Sequence, residues 1–353
     1  MTSIAQSGFW RSRRVLVTGH TGFKGTWLCA LLLRRGATVC GLALPPDTAP
    51  SLWALAPYAG EVDERIVDVR DADGVAIAVA ELRPQTVFHL AAQPLVRRGY
   101  AEPVATYATN VMGTVHLLDA VRRTDAVENV VVVTSDKVYA DDPQPAGYAE
   151  DARLGGVDPY AGSKAAAELV VETYRSAFFS HSGAARIVSV RAGNVIGGGD
   201  FAADRLIPDA YRAIETGSTL RLRHPNAVRP WQHVLDPLHG YLTLAEATAR
   251  GAARHGAYNF GPAPVAATVR DVVERFMAAM GAVAGDRVLI EPSAAHETAV
   301  LRVDSTRARD ELGWAARMST AAAIDAAAAW YRDFLAGVPV ERLVARDLDG
   351  YAG

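Results

Sequence analysis

The chain opens with short apolar runs alternating with amphipathic stretches. V-L-V-T at 15–18 is a β-branched run of strand length, and T-V-C-G-L-A at 38–43 is another. Between them, residues 23–35 carry apolar side chains at helical spacing and stop at Gly36, a helix-ending signal. The pattern then predicts a strand over 65–69, a helix over 71–82, a strand over 86–90, a long amphipathic helix over 103–123 and a strand over 130–133. Residues 159–179 read as a helix opened by Pro159, and 185–191 as a strand. Such alternation predicts an α/β fold, a doubly wound parallel sheet of Rossmann type with right-handed crossovers. Beyond Asp200 the alternation weakens. Helices over 204–216, 235–250 and 268–280 mix with short strands near Leu220, Tyr258 and Val288. The expectation is a mainly dinucleotide-binding domain over 1–192 and a smaller α/β substrate-binding region over 193–353, interleaved rather than independent.

Composition narrows the class. Of 353 residues, 50% are hydrophobic and 21% charged, enough apolar material for a real core in a soluble protein. Net charge is -3 with basic residues scattered, which argues against nucleic-acid binding. Cys29 and Cys40 lack metal-ligand spacing, so no metal site is expected, and a reducing compartment fits. No apolar stretch approaches the ~20 residues that span a bilayer. The first residues, M-T-S-I-A-Q-S-G-F-W-R, lack the apolar core of a signal peptide. A cytoplasmic protein without a membrane partner is the expectation.

The seven residues after the first strand, G-H-T-G-F-K-G, open the first helix. Strand, glycine turn and helix form the setting of a dinucleotide fingerprint, where small residues admit a pyrophosphate to the helix amino end. Gly19, Thr21, Gly22, Phe23, Lys24 and Gly25 are therefore candidate cofactor ligands. The spacing is GxxGxxG rather than GxGxxG, and a turn built only for tight packing looks the same. After the second strand the nearest acid for ribose hydroxyls is Asp47, beyond two prolines, and no arginine stands there for a 2′-phosphate. NAD is favoured over NADP to that extent. Asp68 and Val69 end the third predicted strand. Asp68 suits an adenine amino group, or equally a cap on the next helix. Leu90 ends the fourth predicted strand, and Ala91 and Ala92 after it are small enough to let a cofactor pass close, so all three are candidate cofactor contacts.

The densest chemistry lies between Thr134 and Lys164: T-S-D-K-V-Y at one end, D-P-Y-A-G-S-K at the other. Tyr160 and Lys164 stand one helical turn apart on one face. A tyrosine of reference pKa ~10 needs help to act as a base, and a lysine one turn away is expected to lower it. Ser135 completes a proton path. This set suits removal of a hydroxyl proton while hydride leaves the same carbon. Tyrosine and lysine at this spacing are also a commonplace surface pair. The preceding glycine turn and serine-ended strand give the pair its weight.

Taken together, T-G-H-T-G-F-K-G, H-L-A-A-Q-P-L-V-R-R, T-N-V-M-G-T, T-S-D-K, Y-A-G-S-K, R-A-G-N-V-I-G-G-G-D, D-R-L-I-P-D and R-P-W-Q-H-V-L resemble the extended short-chain dehydrogenase/reductase family over nearly the whole chain. Within it they are most similar to the nucleotide-sugar 4,6-dehydratases, and there to the branch acting on CDP-glucose. The resemblance implies that Tyr160, with Ser135 and Lys164, deprotonates the sugar C4 hydroxyl as hydride passes to NAD. A base then takes the C5 proton, Asp136 protonates the departing C6 hydroxyl, and hydride returns to C6. Most 4,6-dehydratases carry glutamate as the C5 base; Lys137 stands there in this chain, either as a tuned base, as an enolate stabiliser, or as a surface partner of Asp136. Substrate contacts carried over by position are Asn194 and Arg229, then Gln93, Arg97, Arg205 and His296. Trp231 and His233 fit core packing as well as ligand contact, and Tyr139 fits a pocket wall or a strand cap. The loop at 140–158 departs from the branch: it has no tryptophan, and Ala149 replaces an arginine. A homodimer through the helices, or a tetramer, is implied too. The competing functions are an epimerase, which needs no acid–base pair at Asp136 and Lys137, and a non-catalytic NAD sensor, which has no reason to keep Ser135, Tyr160 and Lys164.

Overall fold

The computed structural model describes residues 8–142, 144, 146–262, 267–291 and 300–352. His296 and the first seven residues lie outside the described residues. Seven strands make one parallel sheet: β1 (Arg14–Thr18), β2 (Thr38–Ala43), β3 (Asp63–Ile66), β4 (Thr86–His89), β5 (Asn129–Val133), β6 (Arg186–Ala192) and β7 (Gly256–Phe260), in spatial order β7-β6-β5-β4-β1-β2-β3. β1, β4 and β5 are buried almost throughout, as expected of apolar strands covered on both faces.

Helix α1 (Phe23–Arg34) covers one face with Trp27, Leu28 and Leu32, in a cluster with Tyr241, Trp330 and Tyr331 from the distant helices α6 (Leu235–Ala249) and α8 (Thr320–Leu335). Helices α2 (Ala72–Leu82) and α3 (Gly113–Val121) cover the other face through Val75, Val79, Leu117 and Leu118. Strand order reverses between β1 and β4. The crevice at the carboxyl end of such a switch point is where open α/β sheets bind ligands. Here Leu90 N–H donates to Thr18 O at 3.1 Å, and Ala91 N–H to Thr18 Oγ1 at 3.2 Å.

Three elements differ from the sequence expectation. The strand near Tyr258 is the seventh strand of the main sheet, paired with β6, and not part of a separate layer. Its parallel pairing needs a crossover, which α6 supplies after an excursion of some forty residues through short strand pairs. That distance hides the unit from local pattern. The predicted helix over 103–123 is interrupted: Pro103–Tyr107 is α-helical, Ala108–Met112 forms a wide π-type turn, and α3 follows. Wide turns of this kind are favoured where function demands them. Here the turn carries buried Asn110, which accepts from Gln93 N–H at 2.8 Å and donates to Ser163 Oγ at 2.9 Å. β3 ends at Ile66, so Asp68 lies in the following loop, and Asp71 caps α2 through Gly74 N–H.

Candidate active site

The described candidate residues from β1, β3, β4, β5 and the helix α4 (Pro159–Phe178) line one cleft of about 940 Å³ over the switch point. That volume is near the upper end of the roughly 300–1,000 Å³ usual for ligand sites.

One wall is the glycine turn. Gly19 has φ +72°, a conformation costly for other residues, and a Cβ there would come within 2.7 Å of Ala91 N. A Cβ on Gly25 would lie 2.1 Å from Gly19 O. The turn therefore brings strand and helix closer than any side chain permits. Gly22 is the N-cap of α1 and no side chain caps that end, which leaves helix donors at the cleft. Thr21 Oγ1 is spent on Leu44 O at 2.9 Å. Asp68 accepts from the Arg70 amide at 2.9 Å and from its guanidinium, which holds its carboxyl below the usual range. The carboxylate expected to meet an adenine is thus already engaged.

The opposite wall carries the reactive groups. Ser135 stands two residues beyond β5 and caps the short turn Asp136–Val138; its Oγ accepts from Lys137 N–H at 3.2 Å and donates to Asp136 Oδ1 at 3.1 Å. Asp136 is buried, and its Oδ2 has no partner among the described residues. Burial raises its pKa, against the pull of Lys137, Ser135, Arg229 and Lys24. Gly193 makes room for it: a Cβ there would stand 2.2 Å from Pro230 and 2.9 Å from Asp136 Oδ2. Sequence reading quoted the strings R-A-G-N and R-P-W-Q but did not single out Gly193 or Pro230.

Asp158 caps α4 by accepting from Ala161 N–H at 2.9 Å, fixing the turn that bears Tyr160. Burial pushes the Tyr160 phenol up to about 12, with the Ser135 side chain and Arg205 pulling the other way. This reverses the expectation that Lys164 brings it down. Lys164 is itself lowered to about 8 by burial, and its Nζ donates to Val133 O at 2.9 Å. Beneath it Glu168, one turn along α4, forms a buried ion pair with Arg191 at 2.9 Å and accepts from Ser189 Oγ at 2.6 Å.

The candidate substrate contacts divide. Arg229 is buried near Asp136 and lines the cleft, and Asn194 lines it with its carbonyl bonded to Gln232 N–H at 3.1 Å. Arg205 is held by Asp200 at 2.9 Å and faces Tyr160. Arg97 pairs with Asp204 at 2.6 Å on the rim. Gln93 spends its amide inward, donating to Thr106 Oγ1 at 2.9 Å and accepting from Leu95 N–H at 2.6 Å. Trp231 lines the cleft, whereas His233 is fully buried beneath it, its pKa lowered by burial to about 4. Tyr139 donates to Asn259 Oδ1 at 2.6 Å, accepts from Arg191 at 2.9 Å and stacks on Tyr148 at 4.8 Å, anchoring the loop. Ala149, where the loop departs most, is not part of the cleft wall.

The GDP-mannose 4,6 dehydratase family profile matches residues 16–326. The CDP-glucose 4,6-dehydratase of Salmonella typhimurium is 41% identical over 97% of this chain and 97% of its own length. The dTDP-glucose 4,6-dehydratase of Streptomyces griseus is 30% identical over 90% of this chain and 93% of its own. Among solved structures, the dTDP-glucose 4,6-dehydratase of Streptomyces venezuelae with NAD bound superposes with a TM-score of 0.79 at 26% identity, covering 94% of this chain and 99% of that one. The match runs through both walls of the cleft, and the chain belongs to the GDP-mannose 4,6 dehydratase family of nucleotide-sugar 4,6-dehydratases.

Proposed function

We propose that this chain is an NAD-dependent hydro-lyase that converts CDP-glucose to CDP-4-keto-6-deoxyglucose. The observation that carries the reading is Asp136: a buried carboxyl with one oxygen unpartnered among the described residues, beside Ser135 and on the same wall of the cleft as Tyr160. Burial favours its protonated form, as a general acid requires.

The glycine turn fits NAD, because it has both the close backbone approach and the uncapped helix end that a pyrophosphate requires. Gly19, Gly22, Phe23 and Gly25 would hold that part, with Leu90, Ala91 and Ala92 along the ring side and Val69 toward the adenine. Bound there, NAD would supply the acceptor for the C4 hydride and the source of the hydride that goes to C6. Tyr160 takes the C4 hydroxyl proton, with Ser135 as its hydrogen-bonding neighbour. The 4-ketone acidifies C5–H. Lys137, next to Asp136 and half-buried, removes that proton, and Asp136 protonates the C6 oxygen so that water leaves; Lys137 then gives the proton back to C5 as hydride reaches C6. Arg229 and Asn194 hold the anionic nucleotide end, where a planar guanidinium suits a diphosphate. An epimerase would use Tyr160 and Ser135 in the same way and leave Asp136 idle.

Two coarser features extend the reading. Val104, Tyr107 and Met112, together with Leu169 and Phe178 of α4, expose apolar side chains, which supports a homodimer through these helices. No helix among the described residues is long and apolar enough to cross a membrane, and a cytoplasmic enzyme agrees with that.

The test is incubation of purified protein with a panel of nucleotide hexoses and NAD, products followed by mass and NMR. Loss of one water from CDP-glucose is the expected result. An epimer of unchanged mass would sink dehydration.

A further inference from the structure

Asn259 is the fourth residue of β7, fully buried and outside the cleft wall. It pairs in register with Arg191 of β6, so both side chains leave the same face of the sheet. A side-chain amide offers two donors and one acceptor oxygen, and here each is spent on a residue distant in sequence. Oδ1 accepts from the Tyr139 hydroxyl at 2.6 Å. Nδ2 donates to Tyr148 O at 2.8 Å and to Asp304 O at 3.0 Å. The backbone N–H donates to Glu150 Oε1 at 2.8 Å. One residue thus joins the end of the reactive turn, the loop at 140–158 and the chain at 300–304.

The last two stretches border Arg229. Tyr148 N–H donates to Arg302 O at 3.0 Å, and Asp304 N–H to Tyr148 O at 2.9 Å. Leu301 N–H donates to Val228 O at 3.1 Å, which sets it beside the short strand Val228–Arg229. Tyr148, Leu301 and Arg229 all line the cleft. The reactive turn has supports of its own: the Ser135 cap, Gly155 N–H on Val138 O at 2.9 Å, and Arg191 on the Tyr139 hydroxyl at 2.9 Å. The carbonyls of Tyr148 and Asp304, by contrast, are drawn to one point by the Asn259 amide.

We propose that Asn259 is a positioning residue for the nucleotide end of the substrate, its side-chain amide holding Tyr148 and Leu301 in place beside Arg229. This rests on the reading of Arg229 as a diphosphate ligand. Because the reactive turn keeps its supports, loss of the amide weakens ground-state and transition-state binding alike. That raises KM and leaves kcat in place. A residue that serves only the fold gives the other pattern: less active protein, so a lower apparent kcat, at unchanged KM.

Asn259→Ser removes both donors and leaves a small polar group. Steady-state kinetics with CDP-glucose should show KM up roughly tenfold and kcat within about twofold of wild type. Equilibrium titration with CDP should show the same loss of affinity, and titration with NAD none. Asn259→Asp keeps the side-chain volume and the acceptor for Tyr139 but turns an oxygen toward the two carbonyls. Its KM should rise at least as far, and it decides the matter if the serine variant folds poorly. Leu301→Ala should raise KM as well. Combined with Asn259→Ser it should give less than the product of the two single effects, because both act through one stretch. A wild-type KM in either folded Asn259 variant overturns the proposal. So does an equal loss of NAD affinity, or KM effects that multiply in the double variant. If wild type dehydrates a different nucleotide hexose, the CDP-glucose reading fails on its own, and the same split is read with that substrate and its nucleoside diphosphate. If it dehydrates none, both fall.

Discussion

Lys164 donates its Nζ to the carbonyl oxygen of Val133 at 2.9 Å, the last residue of the strand that delivers Ser135. The ammonium is thereby tied to the sheet end, one helical turn from Tyr160. Burial holds Lys164 near 8 and Tyr160 near 12, so with rising pH the ammonium is lost before the phenol ionises.

Lys164→Met should therefore change the shape of the pH profile as well as the rate. In wild type, the rate of C4 oxidation should bend over above about 8 as the ammonium is lost. In Lys164→Met the rate should fall by roughly 100-fold near neutrality and rise with pH without that bend. Transient formation of reduced nicotinamide, followed by absorbance across the pH range, checks both. An unchanged bend in the variant would remove Lys164 from the mechanism.

Asp136→Asn separates the two halves of the reaction. The amide is nearly isosteric, and Ser135 Oγ keeps a hydrogen-bonding neighbour at 3.1 Å. C4 oxidation should persist within about tenfold, while water loss falls by roughly 100-fold or more. Solvent deuterium should still enter C5, because proton abstraction precedes departure of the C6 hydroxyl. Full turnover by Asp136→Asn would make another group the acid.

What was legible in the sequence was what short-range spacing encodes. Gly19, Gly22 and Gly25 announce a turn because strand and helix flank them directly, and Tyr160 with Lys164 lie one turn apart on a single helix. Long-range pairing was not legible. Nothing local joins Gln93 to Asn110, whose widened turn draws the glutamine amide inward, or ties Lys164 to a backbone carbonyl 31 residues earlier. The place of Asp68 was not legible either: the strand ends two residues sooner, and nothing local shows that Arg70 engages its carboxylate. Glu168 could have been found: it stands one turn beyond Lys164 on the same face, where a buried acid needs a cation, which Arg191 supplies. Tyr241 left no signal, since its helix reads as part of a distant region.

The glycine turn yields a contrast between neighbours. A Cβ at Gly25 meets the backbone oxygen of Gly19 at 2.1 Å, and backbone cannot yield cheaply. Gly25→Ala should cost about 1–3 kcal/mol of stability and weaken NAD binding at least tenfold. At Gly22 the nearest atom would be 3.4 Å away and φ is -79°, open to any residue. Gly22→Ala should leave the melting temperature nearly unchanged and weaken only NAD binding. Calorimetry and dinucleotide titration of both variants distinguish packing from ligand approach. Equal loss of stability in the two would mean that the turn is limited by backbone freedom rather than by contact.

The ion pair beneath Lys164 predicts how the enzyme fails in acid. Glu168 is 5% exposed; burial pushes its carboxyl up, but Arg191, Ser189 and Thr134 together outweigh that and hold it below its ordinary value. A carboxyl depressed in the folded state contributes stability that is fully present above its unfolded pKa of ~4.3. That contribution is lost as pH falls through the folded value. Glu168→Gln removes it and leaves Arg191 buried beside a neutral amide. The variant should lose about 3–5 kcal/mol near neutrality, the cost of stranding one buried charge. Its stability should also fall less steeply than wild type below about pH 4. Urea unfolding at several pH values measures both. Because Glu168 also raises the pKa of Lys164, the alkaline bend in C4 oxidation should move to lower pH in the same variant. A variant that loses stability but keeps the bend in place would confine Glu168 to the fold and leave Lys164 tuned by burial alone.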